Sequence, residues 1–423
     1  MEDKPRLRPD LEFFPVEQGD QKFVFVRDHL GLVKGRLMPI PVFQFMLQLN
    51  GNNTIRDLQA FLTRKTGGVL VGKEEVQNMI KQFDSMFLLD TDRYRGEKKR
   101  IEQEFSQQSI RPCSHCGKSY PDDPEKLKDM INEIIESAGN GRESNGDDNN
   151  IRALIAPHID ISIGARVYGD VYKRIKGLNY SQVIIIGVGH QIADNFFCLT
   201  EKDFETPLGK VKTNKRAVRM LQRSGSNFIS STDFAHKEEH SIEFQLIFLQ
   251  HLIKGEFTII PILCGPAKLF LEDYSRKAYL SRVRPFIEIL SGLFSEKKTL
   301  LVAGVDLSHI GPKFGHDSPA SYIEAQAKRH DQALIEALLK MQPEAFWDES
   351  RRVEDRFNVC GFSAMACLLE VLLRSSAGRV LDYNACVIEM LEKTIKGELL
   401  NYHMWHESST GSAVSFCGIK FSG

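Results

Sequence analysis

The sequence predicts an α/β domain, with a largely parallel sheet between two layers of helices, preceded by a small α+β domain. Two patterns predict this order. After residue 150, short β-branched apolar runs alternate with helical patterns, as they do where helices cover both faces of a parallel sheet. Before residue 91, strand patterns come first and three short helical patterns follow. A chain of 423 residues is also longer than one hydrophobic core usually supports.

The first domain has the order of a winged-helix fold. Residues 22–28 ("KFVFVRD") form a predicted strand, and residues 41–51 ("PVFQFMLQLNG") turn helical after proline. Thr54 can cap the next helix, with Asp57 at its third position, and Val76 opens a further apolar series at helical spacing. An exposed strand edge beside the Phe-rich helix could hold an extended peptide, although the same apolar residues could simply form the domain's own core.

Two polar segments mark the boundaries. We predict a first domain over residues 1–91, a charged linker over residues 92–110 and the α/β domain over residues 111–423. Within the α/β domain, residues 137–150 are Gly, Asn, Ser and Asp with little to bury, and they are predicted to form a loop.

The composition gives no reason to expect a strongly charged binding partner. The formal net charge is −1, which gives no electrostatic reason to expect nucleic acid or a membrane surface as a ligand. The first ten residues lack the apolar run of a signal peptide, and the apolar segments elsewhere are of strand length. Eight cysteines, mostly in apolar surroundings, are too few for a dense disulfide framework in so long a chain. We therefore expect a cytoplasmic protein that binds neither nucleic acid nor membrane.

Three predicted strands of the α/β domain finish on a histidine. They are "IRALIAPH", "QVIIIGVGH" and "TLLVAGVDLSH", which end at His158, His190 and His309. Ligands of open α/β sheets gather outside the carboxyl ends of strands. A single histidine there would be an ordinary turn residue, but three in one domain indicate a functional site.

Two further segments carry candidate residues. His240 and Glu243 lie in "EEHSIEFQLIFLQHL", a predicted helix that is apolar on nearly every face and hence buried. A capping carboxylate and a hydrogen-bonded histidine would explain the pair as well as a functional role does. Cys360 precedes the apolar run "GFSAMACLLEVL", where a helix dipole would stabilise a thiolate ligand or nucleophile. The alternative is a small buried residue beside Gly361.

The segment "CSHC" places His115 between Cys113 and Cys116. A structural zinc site needs two more ligands, and no second C-x-x-C or H-x₃-H motif occurs nearby, so the sequence disfavours a zinc knuckle. Nucleotide-binding loops and the serine-hydrolase elbow are likewise missing from the sequence.

Taken in order, these motifs resemble those of the Memo family. The motifs are "APHID", "IIIGVGHQ", "TPLGKV", "AHKEEHSIEFQLIFLQ", "IIPILCG", "LLVAGVDLSH" and "NVCGF". The segment "CSHCGKSYPDDPEKLKDMINEII" is similar to the family's opening, and "GSAVSFCGIKF" to its closing strand. The resemblance implies a fold similar to that of class III extradiol dioxygenases. It also implies a role as protein B of the AmmeMemoRadiSam system, together with a radical-SAM protein and a small partner. The first domain resembles the PqqD-like fold, which recognises peptides for radical-SAM enzymes.

The resemblance also assigns site residues. The implied ligands of one metal ion are His158, His190 and Cys360. Gly187 and Gly189 would then let the backbone turn closely under this ion, which His190 contacts. The implied acid–base residue is His240, and the residues that we expect to line the pocket are Glu243, Asp306 and His309. Two histidines and a thiolate suit iron or copper, with zinc as an alternative. This sequence has "APHID" and "GVGHQ" where the family usually has "APHAG" and "GPSHH", so the family's substrates do not carry over.

Two functions follow as hypotheses. The first is a metal-dependent redox enzyme, such as a dioxygenase-like oxidoreductase, that acts on a peptide or protein. The second is a non-catalytic adaptor that binds peptides or partners in a repurposed pocket. A third hypothesis, a winged-helix reader of DNA, is disfavoured because the first domain lacks a basic stripe with base-reaching side chains.

Overall fold

The chain consists of two compact units. One comprises Met1–Gln107 with Ser408–Thr410, and the other comprises Gln108–Glu407 with Gly411–Gly423. The structure, a computed structural model, describes residues 4–18, 21–33, 35–138, 150–376 and 395–423. Most of the predicted loop over residues 137–150 lies outside the described residues.

The first unit is a small α+β domain. Its antiparallel sheet has the order β1–β2–β3, with β1 at Leu11–Gln18, β2 at Gln21–Asp28 and β3 at Arg36–Pro39. Its helices are α1 (Ile40–Met46), α2 (Ile55–Lys65), α3 (Lys73–Ser85) and α4 (Asp92–Gln107). The predicted strand is confirmed as β2. Strand β1 was not predicted, because Pro15 and adjacent phenylalanines break the alternation of a strand; an edge strand tolerates that proline.

Local signals in the first unit agree with its helices. Thr54 caps α2, and its hydroxyl and the Asp57 carboxylate form the reciprocal bonds of a capping box. Helix α1 directs Phe45 and Met46 into the domain's own core, so these two side chains do not line a groove. Residues 92–107, within the segment predicted as a charged linker, form the helix α4, and the hydroxyl of Tyr94 there donates a hydrogen bond to Asp10 at 2.7 Å. A solvated helix was the other interpretation of this charged segment.

The second unit is built on one large mixed sheet. The order along the sheet is β12–β14–β5–β11–β6–β10–β9–β8–β4, with β13 paired to β14 and β7 to β10. The neighbours β5, β11, β6 and β10 are all parallel, as predicted. The strands are β4 (Ile110–Arg111), β5 (Ile151–Ala156), β6 (Gln182–Val188), β7 (Phe197–Leu199), β8 (Asp203–Thr206), β9 (Gly209–Thr213), β10 (Thr258–Cys264), β11 (Thr299–Gly304), β12 (His309–Ile310), β13 (Lys396–Glu407) and β14 (Ser412–Ser422).

Helices cover both faces of this sheet. In β6, Val183 and Ile185 join a core that includes residues of α5, α6 and α8, whereas Ile184 and Ile186 join a core that includes residues of α7, α10, α11 and α13. Burial on both faces explains why the strand is continuously apolar. The helices are α5 (Pro124–Ser137), α6 (Ile161–Tyr172), α7 (Lys215–Gln222), α8 (Glu243–Leu252), α9 (Ala267–Phe270), α10 (Arg276–Ser295), α11 (Ala320–Leu339), α12 (Pro343–Arg352) and α13 (Phe362–Ser376). Among the described residues, none of the helices has the length and apolar character needed to cross a bilayer.

Candidate metal centre

The topology brings three site residues to one edge of the sheet. Strands β5, β11 and β6 are parallel neighbours, so their carboxyl ends lie side by side. His158, Asp306 and His190 each follow the last residue of one of these strands by two positions. The sheet therefore places these three residues next to one another before any side-chain interaction is made.

Close packing at the end of β6 explains its first glycine. A Cβ atom on Gly187 would overlap the hydroxyl of Ser241, which accepts a hydrogen bond from the backbone N–H of Val188 at 3.0 Å. The segment before α8 therefore lies directly against the end of the strand. This contact brings His240 to the same edge as His190, and it is a different role from the turn beneath an ion that the sequence suggested for Gly187.

The three predicted ligands converge. One candidate ligand atom from each of His158, His190 and Cys360 lies within 4.8 Å of the others, and Nε2 of His158 is 3.6 Å from the Cys360 sulfur. With bonds of about 2.0 Å to nitrogen and 2.3 Å to sulfur, ligand atoms of a tetrahedral site lie roughly 3.3–3.5 Å apart, so these atoms would have to approach one another by about 1.5 Å at most. Cys360 comes from the turn two residues before α13.

Hydrogen bonds orient both histidines toward this point. Nδ1 of His158 is 3.1 Å from the carbonyl of Gly304, and Nδ1 of His190 is 2.9 Å from a carboxylate oxygen of Glu239. Each ring therefore keeps Nε2 for a metal, as ligating histidines usually do. The three side chains therefore offer two nitrogen atoms and one sulfur atom to a metal. This donor set fits a borderline or soft transition metal.

Burial sets the charge of two of the ligands. It lowers the pKa of His158 to about 3, so this ring is neutral near pH 7 and offers a lone pair. Burial also raises the pKa of the Cys360 thiol, and this outweighs the opposing effect of His190. The thiolate predicted from the helix dipole is therefore not favoured by the protein alone. A metal ion would supply the missing positive charge.

His240 lies against the metal ligands. Its ring centroid is 5.2 Å from that of His158 and 5.2 Å from that of His190, and it stacks on the latter. His115 adds a further ring at 5.4 Å from His240. Burial keeps the pKa of His240 well below its ordinary value, so the ring is neutral near pH 7 and carries a lone pair on one nitrogen. We call the rings of His115, His158, His190 and His240 the histidine cluster.

The carboxylate beside the histidine cluster is Glu239, which the sequence did not single out. One oxygen contacts Nδ1 of His190, and the other lies 3.4 Å from Nδ1 of His240 and accepts the backbone N–H of Ser241 at 2.9 Å. Burial by itself would raise the pKa of Glu239. The neighbouring His190 and the hydrogen bonds that the Glu239 carboxylate accepts hold this pKa well below the ordinary range. The acidic run in "EEHS" was the available signal.

Glu243 occupies a different place from the one expected. It is the first residue of α8, so His240 precedes the helix, and the Glu243 carboxylate turns away to bind the guanidinium of Arg111 and the hydroxyl of Tyr120. It also accepts the backbone N–H of His115 at 2.9 Å. Burial would raise the pKa of Glu243, but these partners hold it well below the ordinary range. Glu243 thus fixes the wall behind the histidine cluster.

Asp306 and His309 differ in their relation to the centre. Oδ1 of Asp306 accepts the backbone N–H of His158 at 3.0 Å, and burial raises the pKa of Asp306 to about 6. The His309 ring packs against Phe314, and its Nδ1 lies 3.0 Å from the carbonyl of Leu307. Asp306 is therefore a direct neighbour of a ligand, whereas His309 is held by its own segment.

The second unit matches a known protein family. Residues 111–420 match the family model described as "Memo-like protein". The chain belongs to the Memo family. A MEMO1 family protein of Aquifex aeolicus is 30% identical over 418 residues, which are 98% of this chain and 100% of that relative. A MEMO1 family protein of Thermus thermophilus is 28% identical and covers 75% of this chain and 89% of its own length. A relative from Nitrosopumilus maritimus is 29% identical, over 65% of this chain and 92% of its own length.

The family match covers most of the second unit, whereas the alignment with the Aquifex relative extends through nearly the whole chain. The first unit is therefore shared with at least that Memo-family relative.

Proposed function

We propose that this Memo-family chain is a metal-dependent redox enzyme that acts on a peptide or protein. The observation that carries the proposal is the convergence of His158, His190 and Cys360 with a neutral histidine, His240, packed against them. A structural metal site would be closed by four protein ligands, whereas three ligands leave a position for a substrate or a small oxidant. The side chain of His190 is 36% exposed, which leaves an approach from solvent.

Iron or copper suits this donor set best, with zinc as the alternative. When bound, such an ion would supply Lewis acidity and, for iron or copper, one-electron chemistry. The residues of the chain supply the rest. His158 and His190 are oriented through Nδ1 by Gly304 and Glu239, and His240 is placed to hold or move a proton.

The acid–base role of His240 is supported by its charge and its position. A neutral imidazole that stacks on a metal ligand can take a proton from a substrate in the open position, provided the substrate comes within hydrogen-bond reach. Glu239 would stabilise the imidazolium that forms, because its carboxylate lies 3.4 Å from Nδ1.

The wider biological setting rests on resemblance. We propose a fold similar to that of class III extradiol dioxygenases for the second unit, and a PqqD-like, peptide-binding role for the first. Both are compatible with an α/β sheet and a small α+β domain. A radical-SAM protein and a small partner in the cytoplasm would then complete the system.

The replacement His240→Ala tests the acid–base role. We expect the iron- or copper-loaded variant to keep its metal, because His158, His190 and Cys360 remain. Its rate of dioxygen consumption should fall at least about 100-fold, measured with a peptide that supports dioxygen consumption by the unaltered chain. The measurement pairs metal analysis after anaerobic purification with an oxygen electrode.

A matched control is His251→Ala, which removes a half-buried histidine bonded to Asn132. His251→Ala should change neither the metal content nor the rate of dioxygen consumption. Loss of metal together with activity in His240→Ala would make that residue a ligand or a structural residue instead. A loaded wild-type protein that binds peptides but consumes no oxygen would favour the adaptor hypothesis.

Removal of residues 1–107 tests the peptide-binding role of the first unit. This boundary keeps α4 whole within the removed segment. We expect the remaining unit to keep its metal, since the ligands all lie beyond residue 150, and to bind peptides selected on the full chain at least about 10-fold more weakly. Fluorescence anisotropy with labelled peptides gives the dissociation constants. Equal affinity in the shortened and full chains would reject this role.

A further inference from the structure

The segment in front of α5 contains a disulfide that the proposed metal chemistry does not use. Cys113 and Cys116 are bonded to each other, whereas the free cysteines among the described residues are Cys198, Cys264, Cys360, Cys367 and Cys417. Four of these five are buried, and the fifth is the predicted ligand. The disulfide therefore does not belong to a wider framework of cross-links among the described residues.

The two residues between the bonded cysteines contact Glu243 and the other rings of the histidine cluster. The backbone N–H groups of Ser114 and His115 donate to the Glu243 carboxylate at 3.1 Å and 2.9 Å. The Ser114 hydroxyl is 2.8 Å from Nδ1 of His115. These contacts hold the His115 ring against His240 and edge-on to Phe244. The disulfide joins two cysteines that are three positions apart, and the short loop that it closes contains His115, a member of the histidine cluster.

The disulfide is open to a reductant. Both cysteines are partly exposed, as are Ser114 and His115 between them. Cys116 packs against the core cluster under α5 and α8, whereas Cys113 lies on the chain that leads into the segment from β4. An incoming thiolate would therefore reach the Cys113 sulfur, and Cys116 would be the leaving group.

We propose that Cys113 and Cys116 are a redox-active pair that exchanges two electrons with a dithiol, and that the state of this pair sets the position of His115 beside His240. In the first step, a thiolate of the dithiol bonds to the Cys113 sulfur, the Cys113–Cys116 bond breaks, and the Cys116 thiolate takes up a proton. In the second step, the other thiol of the reductant loses its proton, and the resulting thiolate attacks the reductant sulfur that is bonded to Cys113. The bond between that sulfur and Cys113 breaks, and the Cys113 thiolate takes up a proton.

The exchange is balanced. Two electrons and two protons pass from the dithiol to the protein, and the dithiol becomes a cyclic or intramolecular disulfide. Reduction removes the covalent closure of the turn from Cys113 to Cys116, and the turn then keeps its shape through the hydrogen bonds of Ser114 and His115 to Glu243. His115 therefore gains freedom relative to His240. The thiol chemistry needs no metal. Only its effect on catalysis rests on the proposed role of His240.

The test uses the full metal-free chain at a series of ratios of reduced to oxidised dithiothreitol, followed in a second series by glutathione. Acid quenching, alkylation and peptide mass spectrometry then count thiols at each position. Cys113 and Cys116 should be reduced together, from about one tenth to about nine tenths over a roughly 100-fold change in the dithiothreitol ratio. Cys367, which is fully buried, should stay unmodified without denaturant and serves as the internal control.

A separate measurement tests whether the state of the disulfide changes the position of His115. The ring resonance of His115, assigned by its loss in His115→Gln, should shift on reduction and take the same position in the Cys113→Ser/Cys116→Ser variant. The His251 resonance should not move. A pair that stays oxidised at every ratio until the chain is denatured would overturn the proposal, as would a pair that never oxidises. A His115 resonance that ignores reduction would overturn the coupling, and neither result depends on whether the metal proposal holds.

Discussion

Replacing His158 with alanine should abolish stoichiometric binding of one metal ion by the full chain. His158 is buried, is kept neutral by that burial, and lies with Nε2 only 3.6 Å from the Cys360 sulfur. Alanine leaves two ligands and a void, so we expect the dissociation constant for iron(II), copper(I) or zinc to rise by more than about 100-fold. Competition titration with a chromophoric chelator measures this change.

A graded series makes the result specific. Glu239→Gln keeps the size of a side chain that orients His190 but removes its charge, so affinity should fall by only about 10- to 100-fold. His406→Ala, at an imidazole whose side chain is 50% exposed, should leave affinity unchanged. If His158→Ala binds metal as tightly as the unaltered chain, the proposed centre is wrong. If His406→Ala loses metal as well, the assay is reporting general damage rather than ligand loss.

Replacing Arg111 with methionine should destabilise the second unit by about 3–5 kcal/mol at neutral pH. The side chains of Arg111 and Glu243 are 0% and 1% exposed, so the variant leaves an uncompensated carboxylate in the interior. Arg111 also donates hydrogen bonds to the carbonyls of His236 and Glu239, at 2.9 Å and 2.7 Å, which would be lost. The two tryptophans of the chain, Trp347 and Trp405, both lie in the second unit, so urea unfolding followed by tryptophan fluorescence reports on that unit.

The loss should depend on pH in a defined direction. In the unaltered chain the pKa of Glu243 is lowered, so its stabilising contribution is complete above its unfolded pKa of about 4.5 and disappears as the pH falls toward the folded value. In Arg111→Met, burial without the guanidinium should raise that pKa, and protonation relieves the buried charge. The difference in unfolding free energy between the two proteins should therefore narrow between pH 7 and pH 4.

A surface pair supplies the control for this comparison. Arg219 bonds to Glu201 with side chains that are 59% and 32% exposed, and Arg219→Met should cost less than about 1 kcal/mol at either pH. An Arg111→Met protein as stable as the unaltered chain at pH 7 would mean that water or another cation reaches Glu243, contrary to its burial.

The sequence by itself determined the elements and the positions of the ligands along them. Apolar runs such as that of β6 are strands because both of their faces must be buried, and that property is local to the run. His158 and His190 follow strand ends, and neighbouring parallel strands bring their carboxyl ends to one edge. The convergence of these residues with Cys360 was therefore foreseeable from pattern and resemblance.

Only the tertiary structure decided which carboxylate serves which histidine. Glu239 and Glu243 lie four residues apart, and both precede or begin an apolar helix, so their sequence surroundings are nearly equivalent. Their roles separated because Arg111, 132 positions away from Glu243, enters the interior from β4 and binds that carboxylate, which leaves Glu239 to His190. A buried charge takes the partner that the fold brings to it, and such long-range pairings leave no periodic trace in the sequence.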